Sequence, residues 1–187
     1  LLEFSNMEQG VLTLSENNFN LRTFSIGIVT MFEPLARRKD LSLDYDFQIG
    51  SPNDICGDEL KIKQIVINIL SNAVKYTRKG SICFYVEYKK GQITFRITDT
   101  GAGIPEENRQ ALFLPFRRIE RNNELASGSG LGMYVVKELV DLLHGDIHID
   151  STVGKGTAVE VVVQVKQAKK EATPLQARHI LVIDDDG

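Results

Sequence analysis

Three groups of residues in this 187-residue sequence have the types and spacing to do chemistry. In Asp99-Thr100-Gly101-Ala102-Gly103-Ile104-Pro105 a carboxylate closes an alternating apolar run, Ile93, Phe95 and Ile97. The pattern predicts an acid at a strand end, where two glycines let the backbone turn sharply and hold the carboxylate at the floor of a pocket. In the run from Asp58 to Tyr76, Gln64, Asn68 and Asn72 recur at spacing four and Lys75 extends the line. Leu60, Ile62, Ile65, Val66, Ile67, Ile69, Leu70, Ala73 and Val74 make the rest apolar, which predicts a buried helix with one narrow polar stripe. Buried amides need partners and Asn is a weak helix former, so the stripe points to a ligand. In Ser127-Gly128-Ser129-Gly130-Leu131-Gly132, glycines open an amphipathic helix from Leu131 to Leu143, whose free N–H groups and positive end suit phosphate oxygens. The glycines lack Rossmann spacing, and neither they nor Gly154-Lys155-Gly156 complete a Walker loop.

Each group alone has a plainer reading: an Asp-Gly turn, a stripe facing water, a loose glycine loop. Together and in this order they resemble the N, G1 and G2 boxes of the GHKL ATP-binding fold, specifically the catalytic domain of sensor histidine kinases. Phe113-Leu114-Pro115-Phe116-Arg117-Arg118 resembles the F box of the same domain. The resemblance runs from about Asn20 to Val165. It implies that Asn68 gives an amide oxygen to Mg²⁺ and is catalytic together with Arg118, the lid arginine that would meet the γ-phosphate of ATP. Asn72 and Lys75 would serve the phosphates, and Tyr76 would stack near the adenine. Asp99 would accept from the exocyclic amino group, with Gly101, Gly103 and Ile104 against the base and Thr157 as the other adenine-side contact. Gly128, Gly130, Leu131 and Gly132 would receive phosphate, and the residues between Gly103 and Gly128 would form a flexible lid. Leu114 stands where the family often has an acid, Arg117 where it often has an aromatic ring, and Asp146 in place of a second glycine after His144. These departures leave open whether Arg117 or Arg118 does the work.

The activity implied is transfer of the γ-phosphoryl group of Mg-ATP to a histidine on a dimerisation domain. Hydrolases of the same fold, the gyrase, MutL and Hsp90 relatives, carry a glutamate one turn before the asparagine matching Asn72. Here that position is Asn68, so no base is placed to activate water. A non-catalytic nucleotide scaffold is the other alternative, and the full set of Asn68, Asn72, Asp99 and glycines stands against it. His144, His148 and His179 lack the flanking residues of a phosphoacceptor.

These residues need elements to position them. Asn20 is expected to cap a helix reaching Lys39, with Leu21, Phe24, Ile28, Met31, Phe32 and Leu35 buried and a late kink at Pro34. Leu41, Leu43, Tyr45 and Phe47 predict a strand that Gly50-Ser51-Pro52-Asn53 ends. Ser81 to Tyr88 with Gln92 to Thr98, and Gly145 to Ser151 with Thr157 to Val165, predict two hairpins. The class is then α+β: a two-layer α/β sandwich with helices on one face of a mixed, mostly antiparallel sheet. By resemblance, residues 1–10 end a dimerisation-domain helix, 11–165 form the catalytic ATP-binding domain, 166–178 a linker, and 179–187 the start of a truncated receiver domain. The implied parent is a homodimer. A net charge of -3 from 22 basic and 25 acidic residues in mixed order gives no surface for nucleic acid and no polybasic membrane patch. Two cysteines without ligand spacing fit a reducing compartment, no run is long enough to span a bilayer, and the cytoplasm is the expected location.

Overall fold

Asn20 starts the first long helix as its side chain suggests, accepting a hydrogen bond from the Thr23 N–H at 3.0 Å. The structure, a computed structural model, describes residues 13–51, 53–117 and 129–168. In chain order the elements are β1 (Asn17–Asn20), α1 (Leu21–Arg37), β2 (Leu41–Ile49), β3 (Asp54–Gly57), α2 (Glu59–Tyr76), β4 (Gly80–Lys89) and β5 (Gln92–Asp99). There follow α3 (Glu106–Arg109) with a 3-10 turn over Gln110–Phe113, α4 (Gly132–Leu142), β6 (Asp146–Thr152), β7 (Gly156–Gln164) and β8 (Lys166–Gln167). The main sheet has the order β2-β4-β5-β7-β6, parallel at β2–β4 and antiparallel elsewhere. A smaller antiparallel sheet, β1-β3-β8, closes one end.

Alternation puts Ile82, Phe84 and Val86 of β4, Ile93, Phe95 and Ile97 of β5, and Val159, Val161 and Val163 of β7 in the buried core. Helices α1, α2 and α4 cover it with Phe24, Ile28, Phe32, Ile65, Ile69, Val136 and Leu139. This is the layered α+β arrangement that the periodicities imply. No helix among the described residues is long and apolar enough to cross a membrane.

Several local expectations change. Met31 and Leu35 are exposed, because the buried stripe of α1 runs through Leu21, Ser25, Ile28, Val29, Phe32 and Ala36 and leaves them on its flank. Leu60, expected in an all-round apolar helix, is 76% exposed in the first turn of α2. Tyr45 is exposed on β2, which among the described residues is an edge strand paired with β4. Strands β1, β3 and β8 were not expected: at two to four residues they are too short for alternation to register. Lys166 and Gln167, within the expected linker, pair with Cys56 and Ile55. The stretch expected as a flexible lid begins with α3 and the 3-10 turn. The expectations for residues 1–10 and 169–187, and for Arg118 and Gly128, lie outside the described residues.

Candidate functional site

The core face of the sheet turns polar in its last row. Ile97 pairs with Val159 and Val159 with Ile149, but one step on Asp99 pairs with Thr157 and Thr157 with Ser151. Three adjacent strands thus bring a carboxylate and two hydroxyls side by side where the apolar core ends. Asp99 Oδ1 accepts from the Gly101 N–H at 2.8 Å. Burial pushes its carboxyl above the usual range, and hydrogen bonds from the Gly101 and Thr157 backbones together with the nearness of the Thr77 hydroxyl only partly offset this. Thr77 is fully buried, and its hydroxyl makes no well-formed hydrogen bond although it lies close enough to influence Asp99. A buried hydroxyl beside a half-buried carboxylate makes a polar floor. Gly101 keeps it open: a Cβ there would stand 2.7 Å from the Tyr76 carbonyl oxygen and 2.8 Å from Asp99 Oδ1.

The loop after Asp99 is tied down on two sides. Its Ala102 N–H reaches the Tyr76 carbonyl at the end of α2 at 3.4 Å, and its Ala102 carbonyl accepts from Gly154 at 2.9 Å. Ile104, half-buried, donates its N–H to Ser151 Oγ at 2.8 Å, and the Arg109 guanidinium of α3 donates to the Ser151 carbonyl. Gly103 has φ +68°, and a Cβ on it would overlap the Thr152 carbonyl, so this crossing needs glycine. Sequence reasoning missed Ser151 and Thr77. The signal for Ser151 was available, since it continues the alternation Ile147, Ile149 toward the same row as Asp99.

The polar stripe of α2 runs from this floor toward α4. From Thr77 back to Asn68 is nine residues, roughly 13 Å along a helix axis. The Asn68 amide donates to the Gln64 carbonyl at 3.0 Å, which turns Oδ1 toward Gly132, 3.3 Å from where a Cβ on that glycine would stand. No side chain caps α4, so its first turn presents backbone N–H groups beside that oxygen. Gly130 packs on the Phe116 and Arg117 backbone, and Leu131 packs against the core. Asn72 is half-buried on the stripe between these ends. Lys75 places its ammonium 4.8 Å from the Tyr76 ring centroid, and Tyr76 is 48% exposed at the rim. Among the described residues no cluster of three or more His, Cys, Asp or Glu side chains could hold a metal. The one amide oxygen of Asn68 fits Mg²⁺, which takes few protein ligands and fills its shell with phosphate oxygens and water. The stripe therefore has a hydrogen-bonding floor at one end and an anion-receptive helix terminus at the other.

Residues 57–167 match the family described as Histidine kinase-, DNA gyrase B-, and HSP90-like ATPase. The chain is 33% identical over 181 residues to the autoinducer 2 sensor kinase/phosphatase LuxQ of Vibrio cholerae, covering 94% of this chain and 21% of that protein. It is 32% identical over 196 residues to the sensor histidine kinase GacS of Pseudomonas protegens, covering 99% and 21%. The chain thus spans about a fifth of the length of these curated relatives. Full-length ShkA, solved in complex with AMPPNP, shares the fold at a TM-score of 0.79 and 23% identity, covering 89% of this chain and 35% of that one.

Proposed function

Because the chain belongs to the Histidine kinase-, DNA gyrase B-, and HSP90-like ATPase family, we propose that it binds Mg-ATP and passes the γ-phosphoryl group to a histidine on a dimerisation domain. The observation that carries this is the polar end of the core: Asp99 with the buried Thr77 hydroxyl beside it at one end of α2, and Asn68 beside an uncapped helix start further along it. The adenine amino group donates to the Asp99 carboxylate, with Gly101, Gly103, Ile104 and Thr157 bordering the base and Tyr76 at its rim. Asn72 and Lys75 face the phosphates, and the first turn of α4, with Gly128, Gly130, Leu131 and Gly132, receives their oxygens. Asn68 holds Mg²⁺, which when bound offsets phosphate charge. Arg118 or Arg117 meets the γ-phosphate from the lid.

The amide at position 68 favours phosphotransfer over hydrolysis, because an amide cannot take a proton from water. The dimerisation domain and a downstream receiver are the partners in this reading, within a homodimeric parent whose kinase part works in the cytoplasm. A titration with a fluorescent ATP analogue, with and without Mg²⁺ and with ATP and GTP as competitors, tests it. Saturable binding displaced by ATP and not by GTP is expected. No binding, or equal displacement by both, would overturn the assignment.

A further inference from the structure

Ser151 stands at the far end of the polar row, 3% exposed, with no contact assigned to it in the nucleotide reading. A serine oxygen has one proton to give and two lone pairs to fill. Three groups lie within reach: the Gly156 carbonyl at 2.9 Å, the Thr157 hydroxyl at 2.8 Å and the Ile104 N–H at 2.8 Å. The carbonyl can only accept and the N–H can only donate. With its proton on Gly156, Ser151 receives Ile104 on one lone pair and the Thr157 proton on the other, and every capacity is used. Were Ser151 to give its proton to Thr157, two buried acceptors would face each other at 2.9 Å, at the full cost of an unmade hydrogen bond. The Thr157 proton is therefore held by Ser151, and Thr157 turns only lone pairs toward the floor it shares with Asp99. The other hydroxyl there, Thr77, lies against the Asp99 carboxylate, which attracts its proton.

We infer that Ser151 determines base specificity through Thr157: by taking the Thr157 proton it leaves Thr157 and Asp99 as adjacent acceptors, which a purine bearing an amino group satisfies and one bearing a carbonyl does not. The inference rests on the adenine-nucleotide reading above. An amino group has a proton for each acceptor. A carbonyl placed there meets lone pairs on both. Ser151 is a positioning residue, and its bond to Ile104 holds the loop that borders the same floor.

The test is competition of ATP and inosine triphosphate, which carries a carbonyl and a ring N1–H in place of the amino group and bare N1 of adenine, against a fluorescent ATP analogue. The parent should prefer ATP. Ser151→Ala frees the Thr157 proton to serve a carbonyl and should lower the ATP-to-inosine-triphosphate preference about tenfold, while Ser151→Thr, which keeps the hydroxyl, should retain it. Loss of affinity for both nucleotides in equal measure would overturn the inference, since it would mark Ser151 as a support for the loop alone. Thr157→Val removes the hydroxyl without changing shape and keeps the test decisive should Ser151→Ala not fold. Its preference must also fall, and an unchanged ratio overturns the proposal. A parent that binds neither nucleotide refutes the adenine site itself, whereas an ATP-selective parent with an unaltered Ser151→Ala ratio refutes only the role of Ser151.

Discussion

Asp99 shows how a single residue sets stability against binding. Its carboxyl titrates above its ordinary value of 3.8, with burial as the main cause. For an acid whose folded pKa is raised, the native state keeps its proton longer than the unfolded chain, so stability declines as pH rises from 3.8 through the folded value. The ionised group above that window costs stability. Asp99→Asn should therefore leave the nucleotide-free protein at least as stable at neutral pH, by thermal unfolding, while weakening ATP about ten- to hundredfold by calorimetry. A variant that lost stability and kept its affinity would remove Asp99 from the site. Asn68 makes the opposite kind of case, because its carbon skeleton is half-buried and its amide donor is met within its own helix. Asn68→Ala should keep cooperative unfolding and lose most of the Mg²⁺ dependence of nucleotide binding. Metal dependence that survived while folding was lost would make the stripe structural.

Helix α2 is the element on which both ends of the candidate site depend. Its N-cap Asp58 is almost fully buried and accepts from the Lys61 N–H at 3.0 Å, the Lys61 ammonium at 2.7 Å and the Ser15 N–H at 2.8 Å. Burial alone would raise its pKa, but the Lys61 side chain and the Ser15 and Lys61 backbone bonds outweigh this and hold it below 3.8. Asp58→Ala should cost about 1–2 kcal/mol in denaturant unfolding at pH 7. For a carboxylate with a lowered folded pKa, this contribution is present in full above 3.8 and is lost as pH falls through the folded value. The gap between parent and variant should close in strong acid, and a gap unchanged by acid would show that the cap acts without its charge. At its other end α2 is held by Lys39, whose ammonium reaches the Val74 and Lys75 carbonyls at 2.7 and 3.1 Å.

At the scale of the whole molecule, the proposed phosphotransfer turns on where a histidine acceptor could stand. His144 follows α4 with φ +51° and turns at the helix end, and His148 lies on β6. Neither sits on a helix, and His179, outside the described residues, lacks the flanking residues of an acceptor, so incubation with radiolabelled ATP should leave this chain essentially unlabelled. A separately supplied dimerisation domain should be labelled in trans, slowly for want of tethering. Stoichiometric acid-labile label on the chain alone would show that one of its histidines is an acceptor. Much of this architecture was legible in sequence because its signals are local. The cap Asn20, the alternation of β4, β5 and β7, and the spacing of Gln64, Asn68 and Asn72 each act within one element. They determined the three long helices, the hairpins, the α+β class and the residues Asn68 and Asp99 as candidates. Tertiary structure decided what depends on pairing between distant segments. It formed the β1-β3-β8 sheet from strands too short to announce themselves, and it exposed Leu60, which periodicity would have buried. It also set Asp99, Thr157 and Ser151 in one row, because cross-strand register is fixed by the whole sheet and appears in no single stretch of chain.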